Sequence, residues 1–333
     1  MADDKILRTG LVGCGGLGRR HAKNADGIEG VQVAAVCDFY QASAEKLAAG
    51  LTSKPAAYSD HRKMLAEQDL DAVLVVTPNY THSEITIDAA NAGAHVFCEK
   101  PMALTVEDCD AMIDAAERAG VFLMIGYVLR FHAANKEMKR QIDSGAIGEV
   151  RMAHALRLGT GPPGGVQGWQ KKRDQYGGLF SLYSHQLDLL AWMAGEIASV
   201  SAVMRYGDDP ENEIEENIFI GLEFASGAVG SLGCSRIYPV GGGEFGVAGT
   251  EGAIKSAGSG GPVISTKKGE SVVIEVARND GLLDELVCFF DCIRAGRRPE
   301  SDGTAGRRVI AVALAAHESA RTGRRVEVPH PRP

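Results

Sequence analysis

The chain has 333 residues, of which 45% are hydrophobic and 23% are charged, and its formal net charge is −8 at pH 7. At roughly 100–200 residues per domain this length favours two domains, and the apolar content excludes disorder as the main state. The acidic balance argues against a nucleic-acid partner, because such proteins normally carry a basic face. No apolar stretch of about 18 residues predicts a membrane span, and no basic segment followed by an apolar one indicates a signal peptide. Seven scattered cysteines without a Cys-x-x-Cys pair predict reduced thiols in a cytoplasmic protein and no metal site.

The first 126 residues alternate apolar, strand-like runs with helical patterns. Strands are predicted at 6–13, 31–37, 72–77, 95–98 and 121–126, and helices at 18–25, 42–51, 61–67, 84–92 and 106–119. Strands without polar alternation are typical of a parallel sheet that helices cover on both faces. The pattern therefore predicts a doubly wound α/β domain over residues 1–126.

From about residue 127 the pattern changes to strands joined by short turns. A helix is predicted at 133–144, strands at 149–158, 197–206, 217–224, 228–235, 244–249 and 272–276, and helices at 282–295 and 304–322. Turns such as Ala225-Ser226-Gly227 indicate antiparallel hairpins. Residues 127–333 are thus expected to form an α+β domain with an open-faced, largely antiparallel sheet. Because an open sheet face has to be covered, we expect a homodimer or homotetramer through this sheet.

A glycine-rich loop follows the first predicted strand. The run Gly13-Cys14-Gly15-Gly16-Leu17-Gly18 fits G-x-G-x-x-G, and it lies between a strand and a helix, the context that a dinucleotide-binding loop requires. In such loops the first glycine permits the tight turn, the second lets the backbone approach a pyrophosphate, and the third allows close helix–strand packing. The helix N-terminus offers free N–H groups to the phosphates. All six residues are predicted to bind a cofactor.

An acidic residue, Asp38, lies twenty positions beyond Gly18 at the end of the second predicted strand. At this place a carboxylate holds the ribose hydroxyls of a dinucleotide and repels a 2′-phosphate. Phe39 and Tyr40 follow, with no Arg or Lys to bind such a phosphate, so the sequence predicts NAD rather than NADP, with Phe39 beside it. The alternative is a solvated loop carboxylate.

Two polar stretches follow later strands of the predicted parallel sheet. Thr77-Pro78-Asn79 with His82 comes after the third strand, and Glu99-Lys100-Pro101 comes after the fourth. Open α/β sheets bind ligands at the carboxyl ends of their strands. We therefore predict that Thr77, Pro78, Asn79, His82, Glu99 and Lys100 contact the cofactor. Lys100 is also a candidate acid or polarising cation, and its alternative interpretation is a surface lysine.

Taken together, these stretches resemble the Gfo/Idh/MocA family of nicotinamide-dependent oxidoreductases over nearly the whole chain. The resemblance also includes Gly126–Phe131, Ile142–Val150, Gly177-Gly178, His185-x-x-Asp188 and Trp192-x-x-Gly195. It implies an N-terminal Rossmann domain, a C-terminal open-faced sheet domain, and a sugar, cyclitol or related polyol as substrate. It further implies that Lys100 and His185 flank the carbon that gives or takes a hydride, and both are expected to be catalytic.

The sequence departs from the family pattern at Ser181, where many relatives carry aspartate four residues before the histidine. Serine supplies no charge, whereas a carboxylate would raise the pKa of a histidine and orient its ring. His185 alone could still act as acid or base, since the ordinary pKa of histidine, about 6.5, suits proton transfer at neutral pH. The alternative is that His185 only binds substrate. Asp188 is interpreted as structural.

Further candidates for substrate binding accompany these residues. Arg130 is interpreted either as a substrate ligand or as a structural ion pair. Trp169 belongs to a Gly/Pro-rich segment, 159–178, that could cap the substrate, and Lys171-Lys172-Arg173 is interpreted as a solvated charge run. The predicted substrate-binding residues are Lys100, Tyr127, Arg130, Trp169, Ser181, His185 and Tyr238.

Three functions remain open at this point. The first is an NAD-dependent dehydrogenase or reductase acting on CH–OH groups. The second is a redox-neutral, glycosidase-type enzyme that retains its NAD. The third is a non-enzymatic sensor of NAD or sugar, which the loss of the aspartate at position 181 keeps open.

Overall fold

The computed structural model describes residues 5–160, 168–178, 180–256 and 261–329. Its first part alternates strands and helices in chain order. The elements are β1 (Leu7–Val12), α1 (Gly16–Asp26), β2 (Val31–Cys37), α2 (Gln41–Gly50), β3 (Ala56–Tyr58), α3 (His61–Glu67), β4 (Ala72–Val75), α4 (His82–Asn91), β5 (His95–Glu99), α5 (Val106–Ala119) and β6 (Leu123–Gly126).

These six strands form one sheet in the order β3-β2-β1-β4-β5-β6, and every neighbouring pair is parallel. This is the Rossmann strand order, in which the topological switch point lies between β1 and β4. All four residues of β4 are buried, as its unbroken apolar run predicts. The doubly wound domain is confirmed, and so are its five predicted strands. The three-residue β3 at the sheet edge was not predicted.

Local capping sets several helix ends in this part. The Thr105 side chain accepts a hydrogen bond from the Asp108 backbone N–H and begins α5, which ends at Gly120 in the left-handed conformation. The Asp60 carboxylate caps α3 in the same way, by accepting from the Arg62 N–H. These caps explain why the sequence pattern placed α3 and α5 at their observed bounds.

The second part begins with α6 (Ala133–Asp143) and is dominated by strands. The remaining elements are β7 (Val150–Thr160), α7 (Arg173–Tyr176), α8 (Phe180–Ala194), β8 (Ile197–Tyr206), β9 (Glu215–Phe224), β10 (Val229–Ser235), β11 (Ile237–Gly249), β12 (Gly252–Lys255), β13 (Val263–Thr266), β14 (Ser271–Val273), α9 (Gly281–Arg294), α10 (Gly303–Thr322) and β15 (Val326–Glu327).

Its nine strands form a mixed sheet in the order β14-β13-β12-β11-β7-β10-β9-β8-β15. Among the strands that the structure describes in this sheet, only β7 and β10 pair in parallel, so the prediction of a largely antiparallel sheet is confirmed. Along β9 the residues Ile218, Ile220 and Leu222 are buried, whereas Phe219 between them is 55% exposed. One face of the sheet therefore belongs to the core and the other is exposed. Large apolar side chains on the exposed face are Met152, Val203, Phe219 and Val229.

Two compact units divide the chain. Unit 1 contains residues 1–127 and 282–307, and unit 2 contains residues 128–281 and 308–333. The segment 282–307, which carries most of α9, thus clusters with the parallel sheet and not with the residues that precede it. The predicted boundary at 126/127 does not anticipate this return of the chain. Within the described residues, no helix combines the length and the apolarity that a membrane crossing requires.

Candidate active site

The glycine loop of unit 1 contains glycines of two kinds. A Cβ on Gly13, whose φ is +102°, would lie 2.2 Å from the Val76 carbonyl oxygen, and a Cβ on Gly18 would lie 1.8 Å from the Gly13 carbonyl oxygen. By contrast, a Cβ on Gly15 or Gly16 would meet nothing within 4 Å. Gly13 and Gly18 are therefore required by backbone packing, whereas Gly15 and Gly16 border open space that a ligand can enter.

The N-terminus of α1 is left available beside this open space. Its N-cap is Gly15, no side chain in the described part of the chain caps it, and its first turn holds no acidic residue. The first N–H groups of a helix lack partners within the helix and attract anions. The loop thus fits the pyrophosphate of a dinucleotide in both shape and charge. Leu17, at the edge of the loop, is 40% exposed.

Asp38 is tied to the glycine loop by its own carboxylate. Its Oδ2 accepts a hydrogen bond from the Cys14 N–H at 2.8 Å, and its Oδ1 accepts one from the Tyr40 N–H at 3.0 Å. A carboxylate offers about four acceptor sites, so both oxygens retain capacity for ribose hydroxyls. Next to it, Phe39 is 85% exposed and forms an edge-to-face pair with Tyr40 at 5.3 Å. The Asp38 carboxylate thus borders the glycine loop, and the predicted contacts of Asp38 and Phe39 with NAD stay predictions.

Cys14 contributes its backbone to this arrangement. Its side chain is buried, and its Sγ lies 3.5 Å from the Cys37 carbonyl oxygen. Burial, reinforced by the nearby Asp38 carboxylate, raises the pKa of the Cys14 thiol to about 12. The thiol is therefore protonated at neutral pH.

His82 joins the two polar stretches that follow β4 and β5. Its Nε2 lies 2.9 Å from the Thr77 carbonyl oxygen, its Nδ1 lies 2.8 Å from the Pro101 carbonyl oxygen, and the side chain is 1% exposed. Burial lowers the pKa of His82, although both carbonyl contacts act in the opposite direction. A neutral ring donates to one of these carbonyls only. His82 thus holds the two stretches together, and its predicted contact with the cofactor stays a prediction.

The other predicted cofactor residues lie around the same strand ends. Asn79 begins a short 3₁₀ turn after Pro78 and is 8% exposed. The Thr81 hydroxyl donates to the Thr77 Oγ1 at 2.7 Å and holds this turn against the strand end.

Glu99 and Lys100 stand at the end of β5. Glu99 is 5% exposed, and its Oε1 lies 2.8 Å from the Nε2 of His21, a buried residue of α1. Its Oε2 accepts a hydrogen bond from the Lys100 N–H at 3.0 Å. Lys100 is partly exposed, and its predicted contact with the cofactor stays a prediction.

In unit 2, Ser181 and His185 lie one turn apart on α8. The Ser181 hydroxyl donates to the Tyr176 carbonyl oxygen at 2.6 Å, and the side chain is 3% exposed. Where many relatives carry aspartate, this chain therefore uses a hydroxyl to fasten the end of α7 to the start of α8. His185 is partly exposed, as an acid/base or binding role requires.

Arg130 and Asp188 form a buried bidentate pair within unit 2. The Arg130 Nε donates to Asp188 Oδ2 at 2.8 Å, and its Nη2 donates to Asp188 Oδ1 at 2.6 Å. The guanidinium also lies 5.4 Å from the centre of the Trp192 ring. This pair gives both residues a structural role. Whether Arg130 also contacts substrate stays a prediction.

The interpretation of Lys171-Lys172-Arg173 as a solvated charge run is wrong for Arg173, which pairs with a buried glutamate, whereas Lys171 and Lys172 pair with exposed carboxylates. Arg173 donates from Nη2 to the Oε1 of the fully buried Glu215 at 2.6 Å. Lys172 pairs with Glu213 at 2.9 Å, and Lys171 pairs with Asp209 at 3.0 Å. The acidic partners lie about forty residues further along the chain, and only the fold brings them to this run.

The paired glycines before α8 belong to the same network. A Cβ on Gly178, whose φ is +109°, would lie 2.9 Å from the Cε1 of His317 and 3.0 Å from the Oε2 of Glu215. The His317 Nε2 lies 3.4 Å from Glu215 Oε1, and burial lowers the pKa of His317. The glycine therefore allows the chain to pass closely over a buried polar network.

Three other predicted substrate residues differ in exposure. Trp169 is partly exposed and packs edge-to-face on Tyr176 at 5.6 Å. Tyr238 follows β10, lies near the start of β11 and is 45% exposed. Tyr127, in unit 1, has no exposed surface. Their contacts with substrate stay predictions, and residues 161–167 of the predicted capping segment lie outside the described residues.

The structure thus links the predicted residues of unit 1 into one continuous set, from the glycine loop through Asp38 and Thr77 to Lys100. It separately links Ser181 to the Trp169–Tyr176 pair in unit 2. Sequence reasoning missed His21 and Glu285 of unit 1 and Glu215 and His317 of unit 2. His21 carried a signal, since it is the histidine three residues beyond Gly18 on the buried face of α1. Glu285 carried none, because only the tertiary fold brings α9 to β5.

Comparison with known proteins agrees with this geometry. Residues 7–127 match the model of an oxidoreductase family with an NAD-binding Rossmann fold, and residues 139–328 match the C-terminal α/β domain of the same family, Gfo/Idh/MocA. The chain is 31% identical over 346 residues to scyllo-inositol 2-dehydrogenase (NAD(+)) of Bacillus subtilis strain 168, covering 97% of this chain and 96% of that protein.

A second relative and a solved structure are also similar to this chain. A 2,7-anhydro-N-acetylneuraminate hydratase of Mediterraneibacter gnavus is 29% identical over 257 residues, covering 75% of this chain and 67% of that protein. A solved structure of levoglucosan dehydrogenase in complex with NADH and levoglucosan superposes with a TM-score of 0.90 at 24% identity, covering 98% of this chain and all of that one. At this identity the structural likeness speaks for the fold alone.

Proposed function

The chain belongs to the Gfo/Idh/MocA oxidoreductase family, and we propose that it uses NAD to oxidise or reduce a secondary hydroxyl carbon of a sugar, cyclitol or related polyol. One observation carries this proposal: the N-terminus of α1, which no side chain of the described residues caps, and two glycines that border open space lie beside Asp38. They follow β1 of the parallel sheet in which β5 leads into Lys100. The names of the relatives, an inositol dehydrogenase among them, support the class of substrate.

The preference for NAD over NADP follows from Asp38. Its carboxylate is held in place by the Cys14 and Tyr40 N–H groups and cannot rotate away from an approaching phosphate without losing both bonds. Phe39 and Tyr40 supply no positive charge beside it. A 2′-phosphate would therefore meet an oriented negative charge. In a thermal-shift assay NAD should raise the melting temperature clearly more than NADP at equal concentration.

Lys100 and His185 are proposed as the acid/base groups. Bound NAD would supply hydride acceptance at the substrate carbon, and one of these two side chains takes the proton that the hydroxyl loses. A secondary alcohol and NAD⁺ thereby become a ketone, NADH and a proton. Where His185 accepts the proton, the ammonium of Lys100 stabilises the negative charge that develops on the oxygen. Where Lys100 accepts it, the side chain starts as the neutral amine. His185 is the second candidate, and its alternative role as a substrate ligand remains open.

The test of Lys100 separates chemistry from binding. Lys100→Ala should lower kcat by well over tenfold and leave the Kd for NADH within about twofold, because the ammonium acts on the substrate and not on the adenosine half of the cofactor. Lys46→Ala, at an exposed lysine of α2, is the matched control. Near-normal turnover by Lys100→Ala would remove this residue from the mechanism.

A second candidate function has a specific observation in its favour. One relative is named a hydratase, and adding water is redox-neutral overall. An enzyme of this kind would oxidise its substrate transiently, eliminate or add a group, and return the hydride. It would form product without a net change in NADH absorbance at 340 nm, whereas a dehydrogenase changes NADH in step with product.

The exposed sheet face of unit 2 is proposed as the surface of a homodimer or homotetramer. A groove of about 790 Å³ crosses this face and is lined by Met152, Val203 and Phe219 among others. Apolar surface of this kind favours association. The molar mass measured by light scattering should exceed the 35.2 kDa of one chain. Phe219→Glu should shift the population to monomer. A wild-type protein that is monomeric throughout would contradict the proposal.

A cytoplasmic location is proposed as well. Six of the seven cysteines are buried and all seven are free thiols, which suits a reducing compartment. Cell fractionation would test it.

A further inference from the structure

Three buried ionisable side chains meet in unit 1 next to the candidate catalytic lysine. They are His21 of α1, Glu99 of β5 and Glu285 of α9, and their ligand atoms all lie within 4.8 Å of one another. His21 and Glu285 are fully buried, and Glu99 is 5% exposed. We call these three residues the buried trio.

The trio contacts the backbone of Lys100 through Glu99. One oxygen of the Glu99 carboxylate lies 2.8 Å from His21 Nε2, and the other accepts the Lys100 N–H at 3.0 Å. The carboxylate is thus fixed at both oxygens, and it fixes the peptide from which the Lys100 side chain extends. Charge-assisted hydrogen bonds of this length are stronger and more directional than neutral ones.

The surrounding structure leaves little freedom for Glu99. Gly126 of β6 is its register partner, and a Cβ there would lie 3.2 Å from the Glu99 carboxyl carbon. The ring of His21 packs on Phe97 at 5.3 Å between centres. The carboxylate therefore occupies a slot that the neighbouring strand keeps open by lacking a side chain.

Such a cluster is costly in a core. Two carboxyl groups and an imidazole lose their hydration when they are buried this close together, and burial of such groups is unfavourable unless they are paired or hydrogen-bonded. Replacing buried ionic groups by apolar residues of similar volume is often neutral or stabilising, so stability alone gives no reason for the trio. The contact of the trio with the Lys100 backbone supplies such a reason.

We propose that His21 is a positioning residue for Lys100, acting through Glu99, with Glu285 closing the third side of the trio. His21 holds the Glu99 carboxylate, and Glu99 holds the Lys100 peptide, so the ammonium group starts from a fixed point. This inference rests on the proposed function of Lys100, yet the orientation of Lys100 can be measured without any substrate.

The experiment is competitive labelling of lysines with acetic anhydride at pH 8, with the rate at each lysine measured by mass spectrometry. His21→Leu removes the bond to Glu99, so Lys100 loses its orientation and should be acetylated at least threefold faster relative to exposed Lys46. His21→Gln restores an N–H donor and should return the rate to within about 1.5-fold of wild type. Glu99→Gln keeps the side-chain volume but also disrupts the trio. It should raise the acetylation rate of Lys100 as His21→Leu does.

The matched control is His317→Leu in unit 2, which also removes a histidine beside a buried glutamate, although His317 is partly exposed. It should leave Lys100 labelling unchanged, because a loss of stability alone does not alter the orientation of Lys100. NADH fluorescence titration and melting temperatures establish that each variant is folded.

The outcomes separate the inference from the function on which it rests. Equal Lys100 labelling in wild type and in folded His21→Leu and Glu99→Gln variants overturns the inference. One equivalent of tightly held metal in the purified protein, lost in His21→Leu, overturns it as well, because the trio would then be a metal site. Altered labelling together with an active Lys100→Ala variant supports the positioning role and removes only the catalytic role of Lys100.

Discussion

The two units each place a buried polar network beside a candidate catalytic residue, but the networks act at different points. In unit 1 the His21–Glu99 pair ends on the Lys100 backbone itself. In unit 2 the Arg130–Asp188 and Arg173–Glu215 pairs hold the α8 helix and the segment before it. The difference suggests that unit 1 controls the orientation of one side chain, whereas unit 2 controls the placement of a whole helix. Perturbation of unit 1 should therefore appear in chemistry, and perturbation of unit 2 in stability.

The largest expected effect is a loss of stability when the Arg130–Asp188 pair of unit 2 is broken. Asp188→Ala leaves the Arg130 charge buried without its carboxylate, and the free energy of unfolding should fall by about 3–5 kcal/mol. Guanidinium unfolding measures it. Asp208→Ala, which breaks an exposed pair with Arg205 in the same unit, is the control and should cause no clear change. An Asp188→Ala protein as stable as wild type would contradict a structural role for the pair.

The next effect is a loss of NAD binding in unit 1 without a loss of the fold. Gly15→Ala adds a methyl group to open space, and the φ of −66° suits alanine. The fold should persist, while the methyl group obstructs the pyrophosphate and weakens NAD binding tenfold or more, about 1.4 kcal/mol. Gly50→Ala, at another glycine with nothing within 4 Å of its Cβ position, should leave NAD binding unchanged. Calorimetric titration of both variants decides whether the loop binds the cofactor.

A smaller effect concerns pH and His82. Burial lowers the pKa of His82 below its ordinary value of 6.5, with Glu99 raising it and Lys100 lowering it. The unfolded chain therefore binds more protons than the folded one just below pH 6.5, and stability falls as the pH decreases through this range. His82→Gln removes this contribution, so the loss of melting temperature between pH 7.5 and pH 5 should be smaller than in wild type. An equal loss in both proteins would show that His82 is not neutral in the folded state.

The smallest effect is expected at the cysteine of the glycine loop. With its pKa raised to about 12 by burial, the Cys14 thiol should react with iodoacetamide at pH 8 far more slowly than the partly exposed Cys288 of α9. Bound NAD should not change this order. Rapid alkylation of Cys14 would show that the loop opens and that its packing is weaker than the structure indicates.

Features fixed by neighbouring residues were predictable from the sequence. The glycine loop and Asp38 belong to one β1–loop–α1–β2 unit, so spacing alone related them, and the apolar runs identified five of the six strands in the parallel sheet. β3 was not predicted because three residues at a sheet edge show no periodicity. Arg173 was misread because Glu215, its partner, lies 42 residues away in sequence.

The buried trio was not predicted either, because its members are also far apart in sequence. Its members come from α1, β5 and α9, and local patterns cannot show that a C-terminal helix returns to the N-terminal sheet. The division at residue 127 was close to the end of the matched N-terminal family model, yet it left out the segment 282–307 that brings Glu285 to its partners.

The central claim is that this chain transfers a hydride between NAD and a polyol carbon. Its most direct test follows NADH at 340 nm and ketone product together, with NAD and a panel of inositols, anhydrosugars and aldoses. The account predicts one NADH for each ketone formed from at least one substrate, with both signals reduced well over tenfold in Lys100→Ala. Product without net NADH would identify a redox-neutral enzyme, and silence across the panel despite tight NAD binding would contradict the claim.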